Sequence, residues 1–145
     1  MVIFIGLLVV FMAIWANGVS SAKGTLQKNR YEYAALAASD MLVRGPGEPA
    51  MWETNVSSLQ KIGLARTSNV LSKEKLAAFA EMPYDDVRSL LGVDSDFFFY
   101  VEDMGGSRLY EAGRPGAGKA TVVVTRFAIL DGKNVFVKLN VYGYR

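Results

Sequence analysis

The stretch AGRPGAGKAT, residues 112–121, comes nearest in this sequence to residue types spaced for chemistry. Gly113-x4-Gly118-Lys119 satisfies the first seven positions of a P-loop, in which backbone N–H groups cradle phosphates and the lysine reaches the outermost ones. The eighth position calls for Ser or Thr to hold Mg²⁺, and here it is Ala120. A P-loop also leads into a helix, whereas TVVVTRF after the lysine has the β-branched composition of a strand. Residues 113–118 are therefore expected to form an exposed loop between two strands.

The remaining polar pairs point to folding rather than catalysis. Asp94 with Asp96, or Glu102 with Asp103, lack the spaced ligands of an EF-hand loop and suit turn capping. Asp85 and Asp86 stand at a helix start, where carboxylates complement the dipole. The chain has no histidine and no cysteine, so imidazole bases, thiolate nucleophiles, disulfides and His/Cys metal clusters are all excluded. No catalytic residue, metal ligand or cofactor is expected, and the chain is not expected to be an enzyme. Net charge is +2 with the cations scattered among nearly as many acids, which argues against nucleic acid as a partner. Asn55-Val56-Ser57 is an N-glycosylation acceptor if it lies outside the cell. Trp52 is expected to anchor the core.

The elements that hold these residues begin with MVIFIGLLVVFMAIWA, sixteen residues without a polar side chain. Extended through Val19, the run approaches the roughly 20 residues that cross a bilayer core as a helix. A secretory signal would need a positive region before it, and the first lysine is Lys23. Two readings remain. One is a membrane anchor carrying a separate binding or sensory head, with Lys23, Lys28 and Arg30 on the cytoplasmic side. The other takes residue 1 as the start of a processed chain whose charged leader has been removed. Helix-compatible sequence without proline continues to Arg44, about 65 Å at 1.5 Å per residue, which exceeds what a head of about a hundred residues can bury. Its second half has apolar residues around most of the circumference, so one side can pack on the head while the other needs a partner.

Gly45-Pro46-Gly47-Glu48-Pro49 ends this helix. Ser72 reads as the N-cap of a helix running to Pro83, with Lys75 where a capping box would place Glu. A shorter helix opens at Tyr84 or Asp85 and ends at Gly92. From Asp96 the composition turns to β-formers in DFFFYVED, SRLYEA, ATVVVTRFAIL and NVFVKLNVYGY. In the last, Val135, Val137, Leu139 and Val141 share one face. Asp131-Gly132 signals a hairpin turn. The expected fold class is α+β: a long N-terminal apolar helix, then a head with short helices and an antiparallel sheet of about four strands. Residues 1–44 form the stem and 45–145 the globular head.

An uncharged apolar stem, a continuing helix and a C-terminal head together resemble the type IV pilin superfamily. The segment GPGEPAMWE…IGLA…LSKEKLAAFAEMPYDDVRSLLGV, over 45–93, is similar to a head segment of archaeal pilin-like proteins with class III signal peptides. Bacterial members usually carry glutamate at the fifth mature position, and this chain has Ile5. The resemblance implies a structural subunit of an archaeal type IV pilus-like extracellular filament, serving surface adhesion. In such a system a leader peptidase trims a membrane-inserted precursor, and the pilus assembly machinery stacks the subunits into a helical homopolymer. It further implies a filament core of Met1, Ile3, Phe4, Ile5, Gly6, Leu7, Leu8, Val10, Phe11, Ile14 and Trp15. Leu26, Tyr33, Leu36, Ala37 and Met41 would then pack the stem on the head and on neighbouring subunits.

Overall fold

The computed structural model describes residues 2–143, and side chains at 5–15 and 25–143. The chain divides into two compact units, 1–30 and 31–145. The second unit starts inside the segment expected to be stem.

Helix α1 runs Val2–Arg44. In the first unit the side chains of residues 5–15 are all exposed. Apolar residues go right round the helix there, so no face is a buried stripe. Phe11 and Trp15, four apart and hence neighbours on one side, have ring centroids 6.1 Å apart. Met1 lies outside the described residues, as do the side chains of Ile3 and Phe4.

In the second unit the same helix has a clear inside. Ala35, Ala38, Leu42 and Val43 are buried, at the spacing of one helical face, while Tyr33, Leu36 and Ala37 are exposed. Alanines on the packed side bring the helix close to the sheet. The helix stops where Gly45 donates its N–H to the Met41 carbonyl, just before Pro46. Beyond it Trp52 is fully buried, its indole N–H donating to the Gly63 carbonyl at 2.8 Å. Two single-turn 3₁₀ helices, Trp52–Thr54 and Val56–Ser58, follow.

Strands β1 (Ala65–Thr67) and β2 (Val70–Leu71) form a short hairpin. Helix α2 (Lys73–Glu81) is capped by Ser72, whose Oγ accepts from the Lys75 N–H at 3.5 Å and donates to the Glu74 carboxylate at 2.6 Å. Helix α3 (Tyr84–Leu91) ends on Gly92 in the left-handed conformation. Strands β3 (Asp96–Asp103), β4 (Arg108–Gly113), β5 (Val122–Leu130) and β6 (Lys133–Tyr142) complete the chain. Asp131 and Gly132, both at positive φ, join β5 to β6 in the two-residue turn that matches strand twist.

The sheet corrects the expected fold class. It has six strands in the order β1-β2-β5-β6-β3-β4, and β2 lies parallel to β5 while the other pairs are antiparallel. An antiparallel sheet of about four strands is thus replaced by a six-stranded mixed one. Three- and two-residue strands are too short to display an alternation, which is why β1 and β2 leave no pattern in the sequence. The expected long apolar helix is corrected as well. Among the described residues no helix is long and apolar enough to cross a membrane.

Phe97, Phe99, Val101, Val124, Ala128, Val135, Val137, Leu139 and Val141 make the inner face of the sheet. They pack with Leu42, Leu76, Phe79, Val87 and Leu91 into one core. The period of two sends their neighbours to the outer face. Phe127 and Phe136 meet there edge-on at 4.6 Å, and the Arg108 guanidinium lies 4.7 Å from the Tyr100 ring centroid.

Candidate functional site

Among the described residues Lys75 is the most deeply enclosed charged side chain, and nothing in the sequence marks it beyond its place at a helix start. Its position on the first turn of α2 aims the side chain between the Gly45–Ala50 connection and β1. There its ammonium donates to the carbonyls of Pro46 at 2.5 Å, Ala50 at 2.7 Å and Ala65 at 3.4 Å. Glu53 Oε2 lies 4.0 Å away, and the two side chains are 5% and 16% exposed. Burial pushes the Lys75 ammonium below the ordinary lysine range, while the Glu53 carboxylate opposes the shift. All three ammonium hydrogens are donated to carbonyl oxygens, which favours the charged form, so at neutral pH Lys75 stands as a cation.

A cleft of about 580 Å³ opens beside this cluster, lined in part by Met51, Arg66 and Glu74. Glu53 Oε2 is buried there without a hydrogen-bond partner. The Glu74 carboxyl is held below its usual range by the Ser72 hydroxyl and then by its own backbone N–H. With its hydrogens donated to backbone carbonyls, the Lys75 amine is not a free nucleophile. Lys75 acts as a clamp that fastens three backbone segments to one helix. Among the described residues no group of three His, Cys, Asp or Glu side chains could hold a metal.

The glycine loop is an inter-strand connection. Gly113 closes β4 at φ +87°, where a side chain would strike the Phe97 carbonyl, and the chain enters β5 rather than a helix after exposed Lys119. Arg114 lies 4.1 Å from the Tyr84 ring centroid; Tyr84 in turn stacks on Phe97 at 5.2 Å and donates to Asp96 at 2.6 Å. Burial, then the Asp96 bond, raises the Tyr84 phenol above its ordinary range.

The residues expected to assemble subunits divide by unit. In the first, Ile5, Leu7, Leu8, Val10, Phe11, Ile14 and Trp15 are exposed, Phe11 at 64% and Trp15 at 66%, and Leu26 is exposed too. Gly6 has open space where a side chain would stand. In the second, Tyr33 at 75%, Leu36 and Ala37 face solvent, and Met41 is partly buried against the core. The contacts that fasten α1 to the head are others: Ala35, Ala38, Leu42 and Val43, together with Ser39 and Asp40. Arg126 of β5 donates to Ser39 Oγ at 3.1 Å and pairs with Asp40 at 2.9 Å. The i, i+3, i+4, i+7 spacing from Ala35 was the available signal. Asn55 sits exposed between the two 3₁₀ turns, with Ser57 also exposed.

No family model matches this chain, and neither a curated protein nor a solved structure does.

Proposed function

We propose that the chain is a structural subunit of an archaeal type IV pilus-like filament at the cell surface, polymerising through α1. The observation that carries this reading is the run Ile5–Trp15, whose large apolar side chains are exposed on every side of the helix. Contiguous apolar surface of that extent marks an interaction site, and at about 25 cal/mol per Å² its burial between copies would drive association. Support also comes from Tyr33, Leu36 and Ala37 of α1, which are exposed rather than packed in the core. Where charge clusters and is buried, at Lys75, the hydrogen bonds serve the fold, which leaves self-association as the role best fitted to the surface.

The test is electron microscopy of material sheared from the cell surface, with mass spectrometry of this chain recovered from it. Thin filaments containing the chain are the expected result. Recovery of the chain only as a monomer, with no filament in the preparation, overturns the proposal.

A further inference from the structure

Strand β5 is left with an open edge. Its other neighbour, β2, reaches it only at Val70 opposite Ile129. Leu130 and Lys133 flank the two-residue turn and form the closing hydrogen-bonded pair of the hairpin. Counting back by twos, Leu130, Ala128, Arg126, Val124 and Val122 direct their N–H and C=O groups to β6. Ile129, Phe127, Thr125 and Val123 direct theirs away, and Ile129 indeed donates to Asn69 at 2.8 Å. Among the described residues no hydrogen bond takes up the outward groups of Val123, Thr125 and Phe127. Sheet edges are commonly blunted by charge, proline or a bulge. This one carries none of these: Val123 and Phe127 are each 57% exposed and Thr125 is exposed beside them. The charge in β5, Arg126, is turned inward and held by Asp40.

We propose that this edge pairs with the free edge of β4 in a second copy of the chain, so that the sheet continues from one subunit to the next. The inference rests on the filament reading and adds a specific head-to-head contact to it. Strand direction favours it. From β5 through β6 and β3 to β4 the strands alternate, an even number of them, so a copy in the same sense brings its β4 antiparallel to β5. Charge favours it too. The β4 charges Arg108 and Glu111 pair with each other at 3.1 Å, so a neutral strand meets a neutralised one. Just past the end of β4, the Arg114 N–H donates to the Phe97 carbonyl, which by the same alternation turns the backbone groups of Glu111 outward. The contact joins two different surfaces, and such heterologous contacts propagate into open helices wherever the rotation between copies does not close a ring. Three or four residue pairs fall short of what a stable dimer buries, so the edge acts together with the exposed side chains of α1.

Thr125→Pro is the decisive variant. The Thr125 N–H faces away from β6, so proline removes an outward donor and blocks strand addition while sparing the native ladder. Its thermal transition is expected within a few degrees of wild type, with filaments lost. A folded T125P that still forms filaments overturns the edge proposal and leaves the filament reading intact. Wild-type oligomers without filaments, abolished by T125P, keep the edge and overturn the filament. A monomeric wild type overturns both. Because the chain has no cysteine, cross-linking reads the geometry directly. Mixed chains carrying T125C or E111C are expected to form the mixed disulfide, whereas T125C forming dimers alone would mean a closed β5–β5 pair and overturn the assignment to β4.

Discussion

Lys75 shows how a charge inside a head of this size is kept by hydrogen bonds rather than by its counter-ion. Three carbonyls take its hydrogens, and Glu53 at 4.0 Å supplies field without a bond. Lys75→Met would leave Pro46, Ala50 and Ala65 carbonyls and a buried carboxylate without their cation, and should cost about 3 kcal/mol in denaturant unfolding. Adding Glu53→Gln should recover part of that loss. If K75M unfolds like wild type, the clamp contributes nothing. Tyr84 offers a second test at the same scale. Its phenol pKa is raised in the folded state, so its contribution is complete below the ordinary tyrosine value of about 10 and is lost as pH rises through the folded one. Tyr84→Phe should be less stable than wild type by about 1 kcal/mol at neutral pH. The gap should narrow above about pH 10, as thermal melts of the two proteins would reveal. A gap constant with pH would contradict the assignment.

Elements in this chain differ in how much of themselves they write into the sequence. Strand β6 announces itself because Val135, Val137, Leu139 and Val141 alternate within its ten residues, and its turn because Asp131-Gly132 suits positive φ. Helix α2 is legible from Ser72. The β1–β2 hairpin is not: Ala65–Thr67 and Val70–Leu71 have no room for a period, and their pairing depends on tertiary bonds such as Leu64 N–H to the Leu42 carbonyl. The Lys75 clamp was hidden for a related reason, since its acceptors are backbone carbonyls, which no residue type advertises. Gly63 belongs to the same tertiary joint. A Cβ there would sit 2.2 Å from the Gly45 carbonyl oxygen, against backbone that cannot step aside. Gly63→Ala should therefore cost about 3 kcal/mol, the upper end for overpacking. An unchanged unfolding midpoint would mean that the connection after α1 yields more easily than its packing implies.

At the scale of the whole molecule, the proposed filament contact and the packed core fall in different units. Phe11 and Leu8 make no part of the head's core, so Phe11→Glu with Leu8→Glu should leave the head's thermal transition unchanged while sedimentable assemblies disappear. Assemblies that survive both charges would remove the apolar run from the interface. The sequence made the exposed apolar stretch visible through composition alone. The spacing from Ala35 hinted at the packed side of α1, but the pairing of the inward-turned Arg126 with Asp40 that secures it is a tertiary contact no local pattern shows. The clamp described above also has a use in reagent chemistry. Lys28, Lys61, Lys73, Lys119 and Lys133 are exposed and Lys138 is half-buried, whereas the Lys75 amine is enclosed and saturated. An acylating probe applied to the native protein should modify the others and spare Lys75, so its labelling would time the opening of the head against any change in the rest of the molecule.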